Sequence, residues 1–215
     1  ILTASHDKTL KLWDAEGRLI RTFTGIEDAV SSAAFSPDGR YIACDSGNYI
    51  KLFSVDGSLV RRFEGHTNKV LRVVFSPNGR YIASGGGDRT VRLWSIDGEL
   101  LETFKKHDDS FVLGLCFSPE GRYIASSGRD DDRGYPVVKV YTSSGQEVTR
   151  FGHEHLEKFF FSRDGSRITF LTQIEVKKDT YRGMKVITHG LEDSYEREIE
   201  IDENLRSLAV SPEGG

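Results

Sequence analysis

The sequence has 215 residues, 37% hydrophobic and 29% charged, with a net charge of −4. That composition leaves room for a sizeable core and excludes a disordered chain. No apolar run reaches the roughly 20 residues of a membrane-spanning helix, and the acidic balance argues against nucleic-acid binding. Cys44 and Cys116 each lie in an apolar run, and they read as reduced core thiols of a cytoplasmic protein rather than a disulfide framework. There is no Met at position 1 and no signal peptide, so the sequence reads as part of a longer chain or as an engineered one.

In chain order, short strands come first: Ile1–Ser5, Thr9–Trp13 and Leu19–Phe23. One turn type then recurs: Ser36-Pro37-Asp38-Gly39, Ser76-Pro77-Asn78-Gly79, Ser118-Pro119-Glu120-Gly121, the degenerate Ser162-Arg163-Asp164-Gly165, and Ser211-Pro212-Glu213-Gly214. Proline presets the first central residue, and glycine accepts the positive φ that closes the hairpin. The residues before these turns, Phe35, Phe75, Phe117, Phe161 and Val210, are spaced by 40, 42, 44 and 49. A period in the forties marks stacked supersecondary units.

The clearest unit runs Val70–Phe75, Arg80–Ser84, Thr90–Ser95 and Glu99–Phe104. Its third strand alternates, with Val91, Leu93 and Ser95 on one face and Arg92 and Trp94 on the other. Four short strands joined by glycine-bearing turns predict one twisted four-stranded sheet. No segment longer than ten residues has a convincing helical period, so an all-β protein is expected.

Gly65-His66, Phe75-Ser76-Pro77-Asn78-Gly79 and Asp88-Arg89-Thr90-Val91-Arg92-Leu93-Trp94 together resemble a repeat of the WD40 (WD-repeat) family, as does Asp7-Lys8-Thr9-Leu10-Lys11-Leu12-Trp13-Asp14. The similarity weakens after about residue 165. The resemblance implies a β-propeller: four-stranded antiparallel blades, strands a to d from a central channel outward. Five blades are expected in a single domain spanning 1–215. The repeat units are 1–24 plus 205–215, then 30–64, 70–105, 111–151 and 156–201. Strand a at Leu205–Val210 would complete the blade that Ile1–Phe23 begins and cover two open edges. The rival is a piece of a larger propeller, since family members commonly have seven blades.

The family often carries a hydrogen-bonded group of four, which His66, Ser84, Asp88 and Trp94 match. Buried together, these groups would satisfy one another. A Ser–His–Asp catalytic triad is the competing reading. Against it, no Gly-x-Ser-x-Gly elbow is present, and the other repeats depart from the pattern. The first has Thr3, Asp7 and Trp13 without a clear histidine. The second has Cys44 and Phe53 in the Ser and Trp places. The fourth offers His107, Ser126 and Tyr141, with a pairing that the missing partners leave open, and the fifth has Gly152-His153 with Ile187.

The a–b and c–d turns are read as short everywhere, on one face. Both long insertions, Gly128–Pro136 and Gln173–Gly183, are b–c loops on the other face, and they carry Arg133, Tyr135, Tyr181 and Arg182. Variable loops on a rigid scaffold are the usual place for binding; drifted, solvated loops are the bland alternative. Alignment places Ala29 and Ser31, Lys69 and Leu71, Phe111 and Leu113, His155 and Glu157, and Asn204 and Arg206 at the channel mouth. Phe111 resembles an interaction hot spot, unless it tucks against the Asp130–Pro136 loop.

His153-Glu154-His155 lacks a third metal ligand, Asp130-Asp131-Asp132 lacks calcium-loop spacing, and Gly85-Gly86-Gly87, placed in a b–c turn, has no following helix to make a phosphate loop. No metal and no cofactor are expected. The function expected is a non-catalytic scaffold for a protein or peptide partner, on the long-loop face. The alternatives are a fragment or engineered propeller without retained binding, and an enzyme at the channel mouth around His155, Glu157 and Arg206. The partner and the oligomeric state are not legible.

Overall fold

A computed structural model describes residues 1–104, 107, 111–129, 135–152, 155–175, 182–193 and 195–201; within its strands the side chains of 129, 173–175, 182–183 and 200–201 are not described. The described residues form five antiparallel sheets and no helix. The first contains β1 (Leu2–Ala4), β2 (Leu10–Trp13) and β3 (Leu19–Phe23). The second contains β4 (Ala33–Phe35), β5 (Tyr41–Ser46), β6 (Tyr49–Ser54) and β7 (Leu59–Phe63). The third contains β8 (Val70–Phe75), β9 (Tyr81–Gly86), β10 (Val91–Ser95) and β11 (Leu100–Thr103). The fourth contains β12 (Gly114–Phe117), β13 (Tyr123–Arg129), β14 (Pro136–Thr142) and β15 (Glu147–Gly152). The fifth contains β16 (Leu156–Phe161), β17 (Arg167–Glu175), β18 (Arg182–Gly190) and β19 (Glu196–Ile201). In each sheet the strands lie in chain order, as the blades of a β-propeller do.

Neighbouring sheets approach along the line β4, β8, β12, β16, which makes these the inner strands. The third strands β6, β10 and β14 are buried on both faces. Ile50 and Leu52 of β6 join Val70, Val73, Ile82 and Trp94 of the next sheet, whereas Phe53 faces back onto Leu10, Leu12 and Phe23. The same scheme joins Val91, Leu93 and Phe104 to Val112, Leu115 and Tyr141, and Val138 and Val140 to Ile168 and Phe170.

An aromatic relay repeats this geometry. The last phenylalanine of an outer strand meets the Trp-place residue of the next sheet: Phe23 with Phe53 at 5.4 Å, Phe63 with Trp94 at 5.9 Å, and Phe104 with Tyr141 at 5.0 Å between centroids. In the fifth sheet Ile187 holds that place, and Phe151 meets Phe170 of the second strand instead, at 5.2 Å. The Trp place is thus filled for its ring, which explains its tolerance of Phe and Tyr.

Backbone bonds tie each sheet to the next. Val30, Val70 and Val112 donate their N–H groups to Ser5, Gly47 and Gly86 carbonyls, at 3.0, 2.8 and 3.2 Å. The segment leading into an inner strand is therefore sewn to the preceding sheet where its second strand ends or its b–c connection begins.

Three expectations need correction. Gly85 and Gly86 lie inside β9, not in the turn after it. A Cβ on Gly86 would stand 2.6 Å from the Lys69 carbonyl oxygen and one on Gly85 would overlap Val112, so Gly86 admits the segment that leads into β8 of its own sheet and Gly85 admits the next sheet. The two long loops are shorter than read, because the ladders continue into them: Arg129 pairs with Pro136, and Glu175 pairs with Arg182. The c–d connection of the fifth sheet is not a tight turn; residues 191–195 span it, closed by Gly190 N–H donating to the Tyr195 carbonyl at 2.8 Å. Residues 205–215, proposed from sequence to complete the first sheet, lie outside the described residues.

Candidate functional site

The polar group in the third sheet comes first, because its residue types match a catalytic triad. His66 Nδ1 lies 2.9 Å from Asp88 Oδ2, and His66 Nε2 lies 2.7 Å from Ser84 Oγ. The Trp94 indole N–H can only donate, and it reaches Ser84 Oγ at 2.8 Å. Trp94 thus bonds to Ser84, and the His66 ring bridges Ser84 and Asp88. Asp88 also accepts from Thr67 N–H at 3.1 Å, Thr90 N–H at 3.1 Å and Thr90 Oγ1 at 2.8 Å. Burial alone would push the Asp88 carboxyl up. Hydrogen bonding and the electrostatic pull of His66, with the bonds from Thr90 and Thr67, outweigh it and hold the carboxyl well below the usual range. Ser84 is 0% exposed and its oxygen is taken by the indole. No substrate carbonyl can reach it, so the arrangement stabilises the blade and offers no nucleophile.

The other sheets keep fragments of this group. In the first, Trp13 donates to Thr3 Oγ1 at 2.8 Å. In the fourth, buried His107 Nε2 lies 2.9 Å from Ser126 Oγ, which settles the pairing that the sequence left open. In the second, buried Lys51 donates to the Gly25 carbonyl and to Glu27 Oε1. Asp45, also buried there, accepts from Ser31 N–H at 2.9 Å and Ser32 N–H at 2.7 Å, where the inner strand begins. Burial pushes its carboxyl up, against those backbone bonds. Burial also pushes the thiols of Cys44 and Cys116 up to about 12, so they stay protonated near neutral pH.

At the opposite ends of the sheets from the Ser-Pro-x-Gly turns, d–a segments lie against b–c connections: Lys8 Nζ donates to the Glu27 carbonyl at 3.1 Å, and Gly87 N–H donates to the Lys69 carbonyl at 2.7 Å. Of the residues aligned from sequence at a channel mouth, the described ones in the d–a segments lie toward this face. Phe111 and Leu113 are exposed to 53% and 51%, just before β12. Lys69 is exposed and paired with Asp28 at 2.8 Å, and the bond from Lys69, with one from Ala29 N–H, lowers the Asp28 carboxyl. Leu71 and Tyr135 are half-buried. His155, with φ +54°, and Glu157 are exposed. Arg133, Tyr181, Asn204 and Arg206 lie outside the described residues, and Arg182 opens β18 with its side chain not described.

A recess of about 880 Å³ opens at this mouth between the inner strands β12 and β16. Leu113 and Glu157 line it; Phe111, His155, Lys69 and Leu71 do not, and Arg72, next to Leu71, does. Lys158, Leu156, Phe159 and Pro136 are among its other lining residues. Sequence reasoning missed Arg72 and Lys158. The signal was present: Arg72 is the single charge in the apolar run Val70–Phe75. Among the described residues no group of three or more His, Cys, Asp and Glu side chains could hold a metal ion, and no helix is long and apolar enough to cross a membrane.

Comparison with known proteins agrees with this architecture. The family model described as WD domain, G-beta repeat, matches residues 1–14, 17–54, 57–95 and 98–132. A nuclear distribution protein nudF from Aspergillus terreus is 48% identical over 42 residues, 20% of this chain and 9% of that protein. A nuclear distribution protein PAC1 from Tuber melanosporum gives the same figures. A WD40 repeat-containing protein, HOS15, from Arabidopsis thaliana is 52% identical over 44 residues, 20% of this chain and 7% of that protein. The matched segment thus spans less than a tenth of the length of each of these relatives. With the repeats in register and the propeller sheets formed, the chain belongs to the WD40 family, whose members generally serve as protein-interaction scaffolds.

Proposed function

We propose that this chain is a non-catalytic scaffold that binds a protein or peptide on the face holding the b–c connections and the channel mouth. One observation carries the reading: Leu113, about half exposed, lines the 880 Å³ recess, and Phe111, also about half exposed, lies two residues before it in the segment leading into β12. An exposed aromatic beside an apolar hollow with charged walls has the make-up of a binding hot spot. The Ser-Pro-x-Gly face is built of near-identical turns and has less with which to discriminate partners. The two protonated core thiols fit a reducing compartment, and we place the protein in the cytoplasm.

The test is affinity for a partner recovered with the wild-type protein, measured beside thermal melting. Phe111→Asp should weaken binding by more than about 2 kcal/mol, the hot-spot level, with melting unchanged. Undiminished binding would move the site elsewhere, and loss of folding would make Phe111 a structural residue.

We further propose that residues 1–215 form one domain, with 205–215 completing the first sheet. In the third sheet Val74 pairs with Ala83; the corresponding first-sheet pair is Ala209 and Leu2. Cysteines at those two positions should cross-link on oxidation, and failure to do so in the folded chain would contradict the closure.

A further inference from the structure

The recess has a chemical sign. Arg72 reaches into its wall from β8, where Nε donates to the Leu113 carbonyl at 2.7 Å and Nη1 to the Leu71 carbonyl at 3.1 Å. Both acceptors are uncharged carbonyls, so these bonds hold the guanidinium in place without themselves neutralising it. A guanidinium has five N–H donors in a planar fork, and those not used on the backbone are already oriented. Arg72 is also the residue by which β8 grips the segment carrying Phe111 and Leu113. Lys158, exposed on β16, brings a second cation to the same hollow. Glu157 is the one carboxylate among the described lining residues, so the lining carries an excess of positive charge in a chain whose net charge is −4. Asp45 of the second sheet also senses the Arg72 charge, but its oxygens are engaged by the Ser31 and Ser32 amides. The rest of the described wall is mostly apolar, with Leu113, Leu156, Phe159 and Pro136, and includes Ser127.

We propose that the recess receives an extended peptide segment in which an aspartate or glutamate adjoins an apolar anchor, with the carboxylate on Arg72 and Lys158 and the anchor against Leu113 and Phe159. The proposal rests on reading this face as the binding face and adds the chemistry of the partner. A pre-held guanidinium loses little freedom when the acid arrives, and the apolar wall keeps the pair partly shielded from water, where charge-assisted bonds are strongest. A basic peptide would meet Arg72 and Lys158 as like charges.

A random peptide library displayed on phage is selected on the purified protein. Individual synthetic peptides are then measured by fluorescence anisotropy against wild type, Phe111→Asp, Arg72→Gln and Lys158→Glu, each checked by melting. The selected sequences should be enriched in Asp or Glu next to Leu or Phe. Their affinity should fall about tenfold or more in Arg72→Gln and in Lys158→Glu, and should weaken as salt rises. Lys158 is exposed, so its variant keeps the test valid where Arg72→Gln unfolds the sheet junction. Peptides that need Phe111 but carry no acidic enrichment, or that survive both charge substitutions, overturn this inference and leave the binding face standing. An empty selection, or peptides indifferent to Phe111→Asp, overturns both.

Discussion

The second and third sheets occupy equivalent places and meet across one core, yet their buried polar groups are bonded in different ways. In the third, His66, Ser84, Asp88 and Trp94 form a closed hydrogen-bonded chain. In the second, Cys44 and Phe53 hold the Ser and Trp places, and a buried Lys51 caps the Gly25 carbonyl and pairs with Glu27. Ring packing and turns are unchanged: Phe53 and Trp94 each take the phenylalanine that ends the preceding outer strand, and Ser36 and Ser76 Oγ both accept the N–H of the tyrosine five residues on. The blade is therefore specified by its turns and two-sided strands, and the polar groups are local solutions to burial. Any accounting of unsatisfied groups must be made sheet by sheet.

The two solutions should fail differently. Asp88→Ala removes the acceptor of four donors at a buried site and should cost about 1–3 kcal/mol, measured by urea unfolding. Glu27→Ala should cost clearly less than Asp88→Ala, because the Glu27 side chain is 56% exposed and the Gly25 carbonyl still serves Lys51. Equal losses would break the comparison.

Replacing Lys51 by methionine sharpens it. The change removes a buried ammonium while keeping an unbranched stem, and its partner Glu27 returns to water. Stability should stay within about 1.5 kcal/mol of wild type, with a gain as acceptable as a loss. A larger loss would show that the ammonium, rather than its stem, holds the d–a segment.

The pH response should carry opposite signs in the two sheets. The Asp88 carboxyl is lowered on folding, so its contribution is present above the ordinary carboxylate value and is lost as pH falls through and below it. The Asp45 carboxyl is raised by burial, so its contribution is full below the ordinary value and is lost as pH rises through the raised one. Between pH 7 and about pH 3, Asp88→Asn should therefore flatten the acid loss of stability, and Asp45→Asn should deepen it. The difference between each variant and wild type in chemical unfolding is the readout.

The fold was legible because its signals repeat: five phased turns set the period, and Val91, Leu93 and Trp94 already alternate as a strand buried on both faces must. The polar interior was legible only where this chain keeps the full group. The basic residue in the middle of each third strand, Lys11, Lys51, Arg92, Lys139 and Lys185, recurs in every repeat. What it does in the second sheet depends on Glu27, which lies outside the repeat pattern. The glycines of β9 read as turn residues because their purpose, contact with Lys69 and Val112 of other segments, is tertiary. Arg72 was missed for a similar reason: its partners are carbonyls, which every sequence has, and only the approach of β8 to the Leu113 segment selects one of them.

The central claim concerns which face binds. Hydrogen exchange on the protein alone and with a Phe111-dependent peptide bound tests it most directly. Slowed exchange should appear over 111–117 and 156–161, with the turns at 36–39, 76–79 and 118–121 unchanged. Protection concentrated on those turns, with the channel mouth exchanging as before, would contradict the account.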